Sequence, residues 1–259
     1  MKLRILGCGT SSGVPRIGND WGLCDPADTR NRRRRVSVIV EFGVSGVGGT
    51  RVLVDTGPDL REQLLDADVD WIDAIVWTHD HADHCHGIDE VRQLFHRRGG
   101  PVPGYARPDT LGALTTRFAY AFRGNAGYPP TVDARVLPDL LPFGEHAIRV
   151  VDQPHGTISS AGLVFVSAGK KIVYATDFND MTPAMNDAYR GADLWVVDAL
   201  RRQPHPTHPH LDQTLAWVDA LEPKAVLLTH MDHSMDYATL CAELPPHVRP
   251  AHDGMEVTV

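Results

Sequence analysis

The stretch that decides the fold is Thr78-His79-Asp80-His81-Ala82-Asp83-His84, which gathers three histidines and Asp83 within six positions. The apolar run before it, Ala74–Trp77, is typical of a buried strand, and Gly87–Phe95 after it is typical of an amphipathic helix. The histidines therefore lie on a strand-to-helix loop, where side chains can converge beyond the end of a sheet. This pattern predicts a metal site.

The spacing within the stretch divides it between two ions. His79 and His81 alternate with Asp80, so their imidazoles project the same way and can share one ion. Asp83 and His84 start the next turn of the chain and can hold another ion.

Composition narrows the class of protein. The 259 residues, 42% of them hydrophobic, predict one α/β domain over residues 1–259. No apolar run has the length of a membrane span, and the first residues do not resemble a signal peptide. Four well-separated cysteines do not suggest a disulfide framework, so we expect a cytoplasmic protein. The net charge of −8 argues against broad nucleic-acid binding.

Apolar periodicity predicts mixed sheets with helices on their outer faces. Ten runs read as strands: Lys2–Leu6, Val36–Phe42, Arg51–Asp55, Ala74–Trp77, Ile148–Asp152, Leu163–Ser167, Lys171–Ala175, Leu194–Asp198, Ala225–Thr229 and Glu256–Val259. Six runs read as helices: Pro58–Asp66, Gly87–Phe95, Thr110–Phe118, Pro183–Tyr189, Leu211–Leu221 and Ala238–Leu244. The Gly-rich segment Gly43–Gly49 predicts a hairpin turn, and Arg123–Pro130 predicts a surface loop that serves as a lid or a partner contact.

Further candidate ligands stand alone at the ends of predicted strands. His155, Asp177 and His230 each come at or just after a strand-like run, where open α/β sheets gather ligands. Asp55 has the same placement and is expected to orient a ligand imidazole from behind.

These residues suffice for two divalent ions. His79, His81 and His155 would bind one ion, and Asp83, His84 and His230 the other, with Asp177 bridging them. Two ions that share a bridging hydroxide suit phosphoester hydrolysis. Imidazole and carboxylate ligands fit zinc, manganese or iron, and ligand type alone does not choose among them.

The HxHxDH stretch, followed by a lone His, Asp and His, resembles the metallo-β-lactamase-fold hydrolases, whose fold is an αββα four-layer sandwich. Within that group the chain is similar to the phosphoribosyl 1,2-cyclic phosphate phosphodiesterases. That likeness covers essentially the whole chain and rests on four segments: Gly7–Pro15, Asn31–Ser37, Leu228–His233 and His252–Val257.

The resemblance assigns roles to individual positions. It implies that the metal ligands are His79, His81, Asp83, His84, His155, Asp177 and His230. It implies catalytic roles for His210, a non-ligand histidine near the site, and for Asp83. A histidine at that place could protonate the leaving alkoxide or bind a phosphoryl oxygen. His205 and His208 are expected to be exposed loop residues.

One departure from the resemblance concerns a structural zinc that some of these phosphodiesterases hold with three cysteines and a histidine. Here Cys24 and His233 match that pattern, and two ligands do not close a tetrahedral site. We therefore expect no structural zinc, with Trp21 packing in its place.

Two segments have alternative interpretations. The arginines at 30 and 32–35 either form ion pairs at a strand entrance or reach a substrate phosphate. Gly7–Gly13 either approaches a phosphate through its backbone N–H groups or forms a tight turn. Cys85 lies inside the metal loop without an obvious base, which argues against a cysteine nucleophile.

The sequence thus predicts a binuclear metal-dependent phosphodiesterase, with zinc or manganese as cofactor and a small cyclic or nucleotide-like phosphodiester as substrate. The enzymatic alternative is a tRNA 3′-processing endonuclease similar to ribonuclease Z. The non-enzymatic alternative is a carrier similar to the pyrroloquinoline quinone biosynthesis protein. No membrane partner is expected, and a homodimer is left open.

Overall fold

Two mixed sheets of seven strands each form the centre of the computed structural model, which describes residues 1–43 and 49–259. The first sheet has the order β14-β1-β2-β3-β4-β5-β6, and the second has the order β13-β12-β11-β10-β9-β8-β7. The strands of the first sheet are β1 (Lys2–Gly7), β2 (Ser37–Phe42), β3 (Thr50–Val54), β4 (Ala74–Val76), β5 (Val102–Ala106), β6 (Val132–Val136) and β14 (Glu256–Thr258). Those of the second are β7 (Leu140–Phe143), β8 (His146–His155), β9 (Ile158–Ser167), β10 (Lys170–Ala175), β11 (Leu194–Asp198), β12 (Val226–Thr229) and β13 (Val248–Pro250).

Helices cover the outer faces of both sheets. They are α1 (Leu60–Asp66), α2 (Ala82–Cys85), α3 (Val91–Arg98), α4 (Pro108–Arg117), α5 (Ala119–Arg123), α6 (Pro183–Tyr189), α7 (Leu211–Leu221) and α8 (Tyr237–Glu243). None of the helices in the described ranges has the length and apolarity needed to span a bilayer.

Two apolar cores fix the order of the layers. Alternate residues of β1–β3, such as Val38 and Val40, pack with β8–β12 residues such as Phe165, so the inner faces of the two sheets meet. The opposite residues of the first sheet, such as Ile39 and Leu53, pack against α1, α3 and α4. Alternate side chains of the first sheet therefore point to opposite faces, one packed on the second sheet and the other on helices. The layers are αββα, as expected.

Short or interrupted strands account for the differences from the predicted elements. Strand β5 contains Pro103 and Gly104, which weaken a strand pattern, while β6 forms a sheet edge with four exposed residues. β7 and β13, also edge strands, and the short helices α2 and α5 were likewise not predicted. The predicted Gly43–Gly49 turn falls on residues 44–48, which lie outside the described residues, although β2 and β3 pair antiparallel as a hairpin requires.

The glycines of Gly7–Gly13 are explained by close packing of the backbone. A Cβ on Gly7 would lie 2.1 Å from the Arg35 carbonyl oxygen, and one on Gly9 would lie 2.9 Å from that of Arg33. Gly9 N–H donates to the Arg34 carbonyl at 2.8 Å, so the loop is used to hold the arginine segment. Close packing against the arginine segment therefore accounts for Gly7 and Gly9.

Candidate metal centre

The ends of four strands, β4, β8, β10 and β12, converge on one buried cluster of histidines and aspartates. Its members follow or end strands of both sheets, so the cluster lies where the edges of the two sheets meet. The seven predicted ligands all belong to it: His79, His81, Asp83, His84, His155, Asp177 and His230.

The first group contains His79, His81, His155 and Asp177, whose ligand atoms lie within 4.8 Å of one another. His155 Nε2 is 3.3 Å from His81 Nδ1. Asp177 Oδ1 is 3.7 Å from the Nε2 atoms of both His79 and His155. Four donor atoms therefore face one small space from β4, β8 and β10.

The second group contains Asp83, His84 and His230, with the same close spacing. Asp83 Oδ2 lies 3.5 Å from His84 Nε2 and 3.6 Å from His230 Nε2. Asp177 also reaches this group, with Oδ2 at 3.1 Å from His84 Nε2. The Asp177 carboxylate thus lies between the two groups, as a bridging ligand would.

Hydrogen bonds to Nδ1 orient two of the imidazoles so that Nε2 points into the cluster. His84 Nδ1 lies 2.7 Å from Asp55 Oδ2, which places Asp55 behind a ligand imidazole as expected. His155 Nδ1 donates to the Thr207 carbonyl at 2.9 Å. Each bond commits Nδ1 and leaves the Nε2 lone pair for a cation. Buried Nε2 atoms without a hydrogen-bond partner among the described residues belong to His79, His84 and His230.

The charge balance of the cluster also favours a cation. Burial alone would raise the pKa of Asp177, but His230 and His84 hold it well below its usual range. Burial lowers the pKa of His230, yet the carboxylates of Asp177 and Asp198 outweigh it and raise that pKa to about 9. The buried carboxylates favour protonated imidazoles beside them. A divalent ion could supply the same positive charge and replace those protons. The residues present fit a pair of metal ions.

Backbone strain accompanies three of these positions. Asp55, Asp177 and His230 have φ values of 64°, 57° and 58°, in the left-handed region. For a residue other than glycine this costs about 1 kcal/mol each. The strain lies at strand ends of both sheets, where it directs side chains into the cluster.

Among the described residues, His208 and not His210 lies against the cluster, and its ligand atom forms a further close group with those of Asp177 and His230. Its Nε2 lies 3.8 Å from Asp177 Oδ1, and its ring stacks on His230 at 4.7 Å. Its Nδ1 lies 2.8 Å from the buried Asp198. The expectation that His208 is an exposed loop residue is therefore wrong, and His205, half-buried beside it, is not exposed either.

His210 occupies a different place. It is the N-terminal capping residue of α7, and its backbone carbonyl accepts from Thr214 N–H at 3.0 Å. Among the described residues, the side-chain contacts of the cluster do not include His210. Asp198 is the residue that the sequence analysis passed over, although it ends β11 just as the predicted ligand His155 ends β8.

Four of the five arginines at 30–35 are held by protein groups. Arg30 pairs with Asp28 at 2.7 Å, and Arg34 pairs with Asp66. Arg33 is fully buried and donates to the carbonyls of residues 232 and 235. Arg35 pairs with Asp59 at 3.1 Å. Ion pairing and buried hydrogen bonds thus explain most of this run.

Cys24 is buried beside Arg33, whose Nη1 lies 3.8 Å from the sulfur. Trp21 is half-buried, and its indole N–H donates to Asn19 at 3.0 Å. The residue pair Cys24 and His233 does not form part of any group of candidate metal ligands within the described ranges.

We expect Cys24→Ser to leave metal content unchanged and the melting temperature within a few degrees of wild type. The reason is that serine keeps the size of the side chain and a weak acceptor for Arg33. Metal analysis and thermal unfolding measure both. Loss of one equivalent of zinc with a large fall in melting temperature would show that a structural site exists with other ligands.

The environment of Cys85 does not favour a nucleophilic thiolate. Its sulfur lies 3.1 Å from the His81 carbonyl oxygen. Burial, partly offset by Arg117, raises the pKa of the thiol to about 11. The thiol is therefore protonated at neutral pH, whereas a nucleophilic cysteine needs a thiolate.

Known proteins resemble this chain in sequence and in fold. Residues 50–231 match the family model of the beta-lactamase superfamily domain. A structure described as a new diphosphatase from the PhnP family is 36% identical, with a TM-score of 0.88 over 99% of this chain and 96% of that one. Zn²⁺-bound PqqB from Methylobacterium extorquens is 18% identical, with a TM-score of 0.79 over 100% of both chains, a likeness of fold alone.

A curated relative is longer than this chain. The octanoyltransferase of Porphyromonas gingivalis is 30% identical over 268 residues, which include 100% of this chain and 52% of that protein. The chain therefore spans about half the length of that relative. Since the family match runs from β3 to just beyond β12 and takes in every predicted ligand, the chain belongs to the β-lactamase superfamily, and its αββα sandwich is the metallo-β-lactamase fold that its motifs predict.

Proposed function

We propose that this chain is a binuclear metal-dependent phosphodiesterase that uses zinc or manganese and hydrolyses a small cyclic or nucleotide-like phosphodiester. The observation that supports it best is the position of Asp177, whose carboxylate oxygens face both groups of imidazoles. One group would hold one ion and the second group the other, with Asp177 shared. A pair of ions there would neutralise charge on the phosphoryl group and lower the pKa of a bound water molecule.

Side chains around the ions would position the substrate and move protons. We assign to His208 the role that the resemblance gave to His210, because His208 lies beside the cluster and its Nδ1 is held by Asp198. That contact leaves Nε2, which faces Asp177, to donate a proton to the leaving oxygen or bind a phosphoryl oxygen. Asp83 would hold the second ion together with His84 and His230, and its carboxylate would be the candidate proton acceptor beside that ion.

The relatives support phosphate chemistry to different extents. The 36% identical structure is named a diphosphatase, which supports a phosphorus ester or anhydride as substrate class. The octanoyltransferase name belongs to a protein about half of which this chain does not match, so its activity does not extend to this proposal.

The test is a joint measurement of metal content and turnover. We expect the purified chain to hold about two transition-metal ions and to hydrolyse bis(p-nitrophenyl) phosphate. Chelation should abolish turnover, and adding zinc or manganese should restore it. Two bound ions without turnover of any phosphodiester in a panel of cyclic nucleotides, phosphoribosyl cyclic phosphate and pre-tRNA would favour the carrier alternative.

A further inference from the structure

A cavity of about 750 Å³ lies beside the candidate metal centre. Its wall includes Asp80, between the predicted ligands His79 and His81, and the residues on both sides of His155. The start of α4 and the tip of the β8–β9 hairpin complete it. The cavity has the size of ordinary ligand pockets, and a substrate substituent that extends past His155 would enter it.

The wall of this cavity carries net negative charge. Asp80, Asp109 and Asp152 face Arg107, which gives three carboxylates against one guanidinium, a formal balance of −2. Asp80 also pairs with Arg117, and Arg107 also pairs with Asp139, so including these two partners leaves the balance unchanged.

The one lining arginine is already engaged. Arg107 Nε lies 2.8 Å from Asp152, its Nη2 lies 2.8 Å from Asp139, and its Nη1 donates to the Leu137 carbonyl at 3.0 Å. A guanidinium with these partners has little capacity left for a phosphate. Asp109, in contrast, is exposed and has no ion-pair partner among the described residues.

The start of α4 does not reverse this balance. A helix N-terminus contributes about half a positive charge, and Asp109 in the first turn of α4 offsets it. The wall therefore repels an anionic group. For an uncharged polar group its carboxylates can accept hydrogen bonds, and the hydroxyls of Thr110 and Ser159 can accept or donate them.

We propose that this cavity is a charge-selective subsite for one substituent of the substrate. It accepts an uncharged or cationic substituent and disfavours an anionic one such as a second phosphate, with Asp109 and Asp152 as the specificity-determining residues. This inference rests on the proposed phosphodiesterase function and narrows its substrate class.

The test uses three p-nitrophenyl phosphodiesters that share a leaving group, with choline, ethyl or 2-sulfoethyl as the second substituent. The metal ions contribute to the turnover of all three esters in every variant. The informative quantity is therefore the change in the ratio of kcat/KM values between wild type and variant. At a surface site one unit charge changes kcat/KM by about fivefold. Removing the charge of Asp109 should lower kcat/KM for the choline ester and raise it for the sulfoethyl ester, by about fivefold each. We therefore expect Asp109→Asn to lower the choline-to-sulfoethyl ratio of kcat/KM by about 25-fold, and Asp109→Lys, which changes two charges, to lower it further.

The matched control is Asp219→Lys, which makes the same charge change at an exposed position of α7 outside the cavity wall and should leave the ratio unchanged. Calorimetric binding of phosphocholine and 2-sulfoethyl phosphate to the metal-loaded protein should show the same trend without turnover. If wild type cleaves all three esters and Asp109→Lys leaves the choline-to-sulfoethyl ratio unchanged, the subsite is overturned and the phosphodiesterase proposal stands. If wild type cleaves none of them, both fail.

Discussion

Asp177→Asn should reduce bound metal from about two ions per chain to less than one, with diester hydrolysis falling in step. Asp177 is the only described carboxylate that faces both groups of ligands, at 3.1 Å from His84 Nε2 and 3.7 Å from His79 Nε2. An amide removes the negative charge, while asparagine tolerates the left-handed backbone that Asp177 adopts. Metal analysis after gel filtration measures the loss.

Asp55→Asn is the graded control for this variant. Asp55 is equally buried and also has a left-handed backbone, but it contacts His84 through Nδ1, on the side away from the centre. Substituting a residue that hydrogen-bonds a metal ligand typically lowers metal affinity by about 10–100-fold. Asp55→Asn should therefore keep both ions at saturating metal. Asp177→Asn should lose them under the same conditions. Equal retention of two ions by both variants would refute the bridging role of Asp177.

The predicted ligands could be found from sequence because the relevant rule is local. A polar residue just after a buried strand lies at the edge of a sheet, and His155, Asp177 and His230 satisfy that rule in this structure. The HxHxDH loop needed only the short strand before it. The same rule applies to Asp198, because β11 ends there. A lone carboxylate at the end of a strand is not by itself enough to predict a functional residue.

What sequence could not decide is which histidine of the segment His205–His210 reaches the centre. Two long-range contacts decide it: His155 Nδ1 donates to the Thr207 carbonyl, and Leu200 N–H donates to the Pro209 carbonyl. The first contact joins residues that are distant in sequence, and the second closes an irregular loop. The periodicity of apolar residues predicts helices and strands but not the conformation of such loops. The missed strands β5 and β6 have a comparable cause, because only the neighbouring strands reveal their pairing.

His208→Ala should keep both ions and slow the cleavage of diesters with poor leaving groups by about 10²–10⁴-fold, the usual contribution of general acid–base help. His208 also forms a close group with Asp177 and His230, but the groups around His79 and around His84 each have at least three ligand atoms without it, so metal content should be unchanged. The loss should shrink for p-nitrophenolate, which leaves without protonation. An equal loss for both kinds of leaving group would point to stabilisation of phosphoryl charge instead.

His210→Ala is the matched control, and it also tests the role that the resemblance assigned to His210. The two residues are the same type, half-buried, and two positions apart, but only His208 contacts the cluster among the described residues. We therefore expect His210→Ala to change the rate by less than about threefold for either leaving group, since no acid–base contribution is removed. His208→Asn adds a stricter comparison, because an amide can still bind a phosphoryl oxygen but cannot donate a proton as an acid. If His210→Ala carries the large loss and His208→Ala is silent, the acid belongs to His210 after substrate binding, and the contact of His208 with Asp198 is structural.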